Sequence, residues 1–178
     1  MTLYVTSDLH LEHSNIIEYC DRPYEDVDQM NADLISNWNN RVEKEDVVIF
    51  LGDLVFGGKD EIVSYIDKLN GNILFIQGNH DDVDASFPFP VCQSTTIEHS
   101  GIEFFCSHYP ENVPDGANWW HLYGHVHNND LEEYPFISPG NKRINVSTDV
   151  TGYGPISMDS IIEYIQEGLR HETVPNKN

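Results

Sequence analysis

Val47-Val48-Ile49-Phe50-Leu51 stops at Gly52-Asp53, and Ile73-Leu74-Phe75-Ile76 runs, one residue on, into Gly78-Asn79-His80-Asp81. Each run is unbroken apolar sequence of strand length, the pattern of a strand buried on both faces. Between them, Asp60–Leu69 carries Ile62, Ile66 and Leu69 at helical spacing, and Asn70-Gly71 supplies the stop. Upstream, Leu3–Thr6 is a short β-favouring run leading to Asp8. Asp26–Arg41 then repeats Val27, Met30, Leu34 and Trp38 on one helical face, with Asp26 as N-cap. Strand, helix, strand, helix, strand predicts a sheet paired in parallel through right-handed crossovers. Such sheets bind ligands outside the C-terminal ends of their strands, and Asp53 falls at such an end.

The second half changes character. Thr95–His99, Ile102–Ser107, Trp119–Tyr123, Glu133–Ile137 and Arg143–Ser147 are short strand candidates, with a tight turn at Ser100-Gly101. Asp82–Pro90 and Pro110–Gly116 read as loops. Ser157 is placed to cap a last helix whose Ile161, Ile162, Ile165 and Leu169 share a face, with Gly168 near its end. The expected organisation is one domain over residues 1–170, followed by a polar tail over 171–178 that frays.

Composition narrows the function. Apolar residues make up 39%, and 30 Asp plus Glu against 9 Lys plus Arg give a formal charge of −21. That charge repels nucleic acid at long range, so no stable nucleic-acid complex is expected, although bound cations can reverse the field locally. Three cysteines, Cys20, Cys92 and Cys106, fit neither a disulfide framework nor a zinc site. The opening residues read as a strand rather than a leader, and no apolar stretch is long enough to span a membrane. The expectation is a soluble cytoplasmic protein with no membrane partner.

Five polar clusters carry the chemistry. Asp8 and His10, one residue apart, project to one side if the chain there is extended, as do His125 and His127. Gly52-Asp53 presents a carboxylate at a strand end. Gly78-Asn79-His80-Asp81 sets an amide oxygen, an imidazole and a carboxylate in a row, and Ser107-His108 follows another apolar run. Asp8, His10, Asp53, Asn79, His108, His125 and His127 thus form a donor set of oxygen and nitrogen without thiolate. It suits Mn²⁺, Fe²⁺, Ni²⁺, Co²⁺ or Zn²⁺, with Mn²⁺ foremost, better than a calcium cage. Seven donors exceed one tetrahedral ion and match two ions sharing a carboxylate. Two such ions about 4 Å apart clamp both oxygens of an in-line displacement. His13, His99, His121 and His171 are read as packing, loop or surface residues.

The ordered series Asp8-Leu9-His10, Gly52-Asp53, Gly78-Asn79-His80-Asp81, Ser107-His108 and Gly124-His125-Val126-His127 resembles the calcineurin-like metallophosphoesterases. The resemblance implies an α/β fold, a four-layered α/β/β/α sandwich of two mixed β-sheets flanked by helices. It implies one ion on Asp8, His10, Asp53 and His127 and another on Asp53, Asn79, His108 and His125. Asp53 would bridge, and a hydroxide between the ions would be the nucleophile. It also implies that His80 contacts the phosphate or protonates the leaving group, with Asp81 orienting it. Asn15, Arg22 and Arg143 are the candidate substrate contacts. The expected activity is hydrolysis of a small phosphate ester, with a diester favoured. The alternatives are a phosphomonoesterase, a protein phosphatase and a non-catalytic metal-binding scaffold.

Overall fold

The computed structural model describes residues 1–84, 86–114 and 118–175, so the ends of the expected Pro110–Gly116 loop and of the tail lie partly outside it. The chain runs β1 (Leu3–Thr6), α1 (Asn15–Tyr19), α2 (Val27–Arg41), β2 (Val47–Phe50), α3 (Lys59–Ile66), β3 (Asn72–Ile76) and β4 (Val91–Cys92). It continues with β5 (Ser94–His99), β6 (Ile102–Ser107), β7 (Trp120–Tyr123), β8 (Ile137–Ser138), a 3-10 turn (Pro139–Asn141), β9 (Arg143–Asn145), α4 (Thr148–Thr151), β10 (Ile156–Ser157) and α5 (Met158–Glu167).

These strands form two five-stranded sheets, ordered β10-β1-β2-β3-β4 and β5-β6-β7-β9-β8. Both are mixed. In the first, β1 to β4 run parallel and β10 pairs antiparallel with β1. In the second, β6, β7 and β9 run parallel between antiparallel edges. The fold is therefore α/β, with two mixed sheets flanked by helices.

Two apolar clusters hold the layers. Val5, Ile49, Leu51 and Ile76 from one sheet meet Phe104, Cys106, Leu122 and Ile144 from the other, joined by Ile161, Ile162 and Tyr164 of α5. Val48, Phe50 and Phe75 face the opposite way, against Met30, Leu34 and Trp38 of α2 and Ile62 and Tyr65 of α3. Alternate residues of β2 thus enter different clusters. A strand covered on both faces must be apolar throughout, which is why its sequence shows no alternation.

Helix termini follow local chemistry. The Asp26 carboxylate accepts from Gln29 N at 2.8 Å to cap α2, and Ser157 Oγ accepts from Ser160 N at 3.1 Å to cap α5. The Ser100-Gly101 corner between β5 and β6 turns with both residues at positive φ. Two expectations shift. Glu133–Ile137 contributes only its last residue to a strand, because Asp130 Oδ1 accepts from Glu133 N and its carbonyl accepts from Tyr134 N, closing a turn. The described part of the C-terminal stretch is bound back: Glu172 O accepts from Phe136 N, and Val174 N donates to Val150 O. Val174 also packs on the inter-sheet core, which outweighs the fraying expected of a polar tail. Among the described residues, no helix is long and apolar enough to cross a membrane.

Candidate metal centre

Parallel strands bring their C-terminal ends to one edge, and the polar clusters gather there. Asp8 lies just past β1, Asp53 past β2, Asn79 past β3, His108 past β6 and His125 past β7. Three groups of ligand atoms form among the described residues, each within 4.8 Å of one another: Asp8 with His10 and His127, and Asp53 with His108 and His125, at the centre, and Cys20 with His127 and Asp149 behind the first. Asp53 Oδ2 faces both groups at the centre: it is 3.4 Å from His10 Nε2 and 3.5 Å from His108 Nε2. Asn79 Oδ1 sits 3.0 Å from His108 Nε2, beside the second group.

Each carboxylate divides its oxygens between protein and centre. Asp8 Oδ2 accepts from His125 N and Ser147 Oγ, while Oδ1 lies 3.9 Å from His10 Nε2 and 3.8 Å from His127 Nε2. Asp53 Oδ1 accepts from His80 N at 2.8 Å, leaving Oδ2 inward. The imidazoles are oriented in the same way. His108 Nδ1–H donates to the Leu51 carbonyl at 2.7 Å, and His127 Nδ1–H donates to Asp149 Oδ2 at 2.7 Å. A proton fixed on Nδ1 leaves the Nε2 lone pair toward the centre. His10 Nδ1 lies 3.3 Å from His13 Nδ1.

The centre has the chemistry of a cation site. Asp8 Oδ1 and His10 Nε2 are buried without a hydrogen-bond partner, a costly state unless something else satisfies them. Burial works against ionised Asp8, yet the neighbouring imidazoles of His127, His108 and His10 and the Ser7 hydroxyl hold its carboxyl down at about 2. Burial, and then the charge of Asp8, push Asp53 up to about 7. Burial disfavours a charged His127, but Asp8 and Asp149 outweigh it and lift the imidazole to about 11. Burial and the neighbouring His127, Arg22 and His80 take His10 down to about 2 against the pull of Asp8. Carboxylates crowded enough to keep a second proton on His127 favour positive charge here, and a divalent cation would take that proton's place on Nε2.

Close approach at this edge depends on three glycines. A Cβ on Gly52, at φ +95°, would strike the Gly78 backbone and His108 Nδ1. A Cβ on Gly78 would strike Asp53 Oδ1, and one on Gly124 would strike the side chains of Ser7 and Asp8.

The family model for calcineurin-like phosphoesterases matches residues 1–164. The chain belongs to that family. It is 42% identical over 175 residues to an uncharacterized protein of Methanocaldococcus jannaschii, MJ1445, spanning 97% of this chain and 96% of that one. Over 81 residues it is 35% identical to the gene 66 protein of Mycobacterium phage L5, covering 44% of this chain and 39% of that protein. Its fold resembles that of AQ665, a protein of unknown function from Aquifex aeolicus, with a TM-score of 0.70 and 24% identity over 92% of this chain and 99% of that one. Membership and the two ligand groups together make the chain a metal-dependent phosphoesterase with a dinuclear site for divalent metal ions.

The other candidate residues lie as follows. His80 is exposed at the mouth, its ring centroid 5.2 Å from that of His10. Asp81 was expected to orient His80. Instead its carboxylate accepts from Asp53 N at 2.8 Å, Leu54 N at 3.0 Å and Gly78 N at 2.8 Å, tying the β2 and β3 ends together. Arg22, expected at the phosphate, is buried. Its guanidinium donates to Asp149 and to the carbonyls of Asp8 and Leu9, which turns it into the protein and away from the mouth. Asn15 is the exposed first residue of α1. Arg143 begins β9 opposite His121, whereas the ligands follow Tyr123 at the other end of that pairing.

Asp149 escaped the sequence reading. It stands in the mixed stretch Ile144-Asn145-Val146-Ser147-Thr148-Asp149-Val150, whose composition does not announce burial. The fold buries it, a buried acid demands a partner, and that partner, Arg22, lies 127 positions away.

Proposed function

We propose that this chain hydrolyses a small phosphodiester in the cytoplasm, with Mn²⁺ as the working metal. Asp8, His10 and His127 would hold one ion and Asn79, His108 and His125 the other, with Asp53 shared. The observation that carries the reading is the placement of Asp53 Oδ2 within 3.5 Å of an imidazole nitrogen from each group. Once bound, the cations supply Lewis acidity, lowering the pKa of coordinated water and neutralising phosphate charge. The chain's own part is to hold this geometry through Asp81, Asp149 and the Leu51 carbonyl, and to present His80. An exposed imidazole beside the ligand cluster is placed to donate to a phosphate oxygen or to protonate the departing alcohol, and a leaving-group acid matters most for a diester. Three free thiols are in keeping with a reducing compartment.

The test is turnover of bis-p-nitrophenyl phosphate beside p-nitrophenyl phosphate by metal-stripped protein given Mn²⁺, Ni²⁺, Zn²⁺ or Mg²⁺ in turn. Diester turnover is expected with Mn²⁺, falling at least ~10²-fold in Asp53→Asn, a loss of about 3 kcal/mol of transition-state stabilisation. Turnover of the monoester alone would move the assignment to a phosphomonoesterase. Two bound ions with turnover of neither would overturn the hydrolytic reading of these substrates.

A further inference from the structure

Exposed large apolar side chains are normal when scattered singly, but Phe56 is not placed as a stray. It is 52% exposed and lies three residues after Asp53, at the mouth of the metal centre. Its backbone N–H donates to the Leu11 carbonyl at 2.7 Å, and Leu11 and Val55 form a parallel bridge. The ring is therefore mounted on the two segments that carry His10 and Asp53. One face lies against His13, with centroids 4.3 Å apart and planes 14° from parallel. His13 is tethered in turn through its contact with His10. Tyr19, 65% exposed, meets His13 edge-on at 6.3 Å.

Adjacency gives this cluster its meaning. His80 lies 5.2 Å from His10 and 6.1 Å from both Phe56 and His13, and His10 and His13 are 5.4 Å apart, centroid to centroid, so His80 borders the ligand cluster and the aromatic pair at once. The phosphate belongs with the ligands. A ring on a group leaving beside His80 would have Phe56 within reach.

We propose that Phe56, backed by His13 and edged by Tyr19, is a stacking subsite for a planar ring on the leaving group, either an aryl ester or a nucleobase. The inference rests on the proposed hydrolytic function and narrows it to esters bearing such a ring. Stacking on an aromatic side chain tolerates any π face and adds binding without demanding a hydrogen-bond pattern.

The experiment uses phosphonates, whose carbon–phosphorus bond this chemistry does not break. Calorimetry on the full, Mn²⁺-loaded chain would compare phenylphosphonate with methylphosphonate, which differ chiefly in the ring. Wild type is expected to prefer phenylphosphonate about tenfold. The preference should fall to near unity in Phe56→Ala, remain mostly lost in Phe56→Leu, which keeps apolar area without a π face, and persist in Phe56→Trp. A phosphonate analogue of adenosine monophosphate, binding more tightly or more weakly than phenylphosphonate, assigns the subsite to a base or to an aryl ring. Equal binding of the phenyl and methyl ligands by wild type, or a preference that survives Phe56→Ala, overturns the subsite and leaves the hydrolytic reading intact. No binding of any phosphonate, with no turnover of bis-p-nitrophenyl phosphate, overturns both.

Discussion

Asp8, His10, Asp53, His125 and His127 all hang from backbone with φ between 51° and 71°. This left-handed region costs a residue other than glycine about 1 kcal/mol or more, and Asp, Asn and His bear it best. The ligand pairs therefore do not converge by alternation along a strand, as their one-residue spacing implied. Each strand ends, the chain turns left-handed, and the turns aim the side chains inward. Strain stored for function makes a prediction: in metal-free protein His125→Gly should be at least as stable as wild type. His125→Val, β-branched at a positive φ, should lose about 1–2 kcal/mol in urea unfolding. A stable Val variant would remove the argument from strain. The buried Arg22–Asp149 pair behaves differently. Arg22→Ala strands a carboxylate that is charged and buried, and is expected to cost about 3–5 kcal/mol in the same assay. Asp149→Asn should weaken Mn²⁺ binding by about tenfold or more, because the support behind His127 changes character; unchanged affinity would demote Asp149 to a packing role.

Elements with enough turns or enough apolar length announce themselves. Val27, Met30, Leu34 and Trp38 marked α2 by their helical period, and unbroken apolar runs marked β2 and β3, because a 15-residue helix leaves a period and a doubly covered strand leaves a run. The short elements α1, β4, α4 and β10 were invisible, since a single helical turn or a pair of ladder residues has neither a period nor an apolar run to detect. The chemistry shows the same division. Residues that offer atoms to the centre stand in compact motifs, whereas Asp149, the Leu51 carbonyl and the Asp81 contacts act through distances the sequence does not display. The role of α2 is testable through its core anchor. Trp38 is fully buried between α2 and the sheet, its indole N–H donating to Asn70 O at 2.9 Å. Trp38→Ala should therefore cost about 3–5 kcal/mol. A loss under 1 kcal/mol would mean that α2 docks without it.

For the whole molecule, two linkages should be visible. If the ligand cluster is matched to divalent ions only in the folded chain, Mn²⁺ at ~100 times its Kd should add about 2.7 kcal/mol to unfolding stability, and chelation should remove it. A melting temperature indifferent to chelator would contradict this. The second linkage is to protons. His121 is buried against Ser107, and burial, assisted by Arg143, pulls its imidazole down to about 4. The unfolded chain therefore binds a proton near the ordinary histidine value of about 6.5 that the folded chain refuses until about 4. Its contribution is complete above pH ~6.5 and is lost as pH falls toward 4. Metal-free His121→Gln, compared with wild type by urea unfolding at several pH values, should show a shallower decline across that window. Parallel curves would assign the acid sensitivity elsewhere.

The sheet order sets a schedule for synthesis. β1 is made first, yet it lies between β2 and β10, and its second neighbour does not exist until residue 157 has been added. His127 and its support Asp149 likewise emerge long after Asp8 and His10. A chain made only as far as β3 therefore carries an open, largely apolar strand edge and three of the seven donors, Asp8, His10 and Asp53. The donor set is complete once His127 has been made, before β10 seals the edge, so ion capture can precede closure of the first sheet.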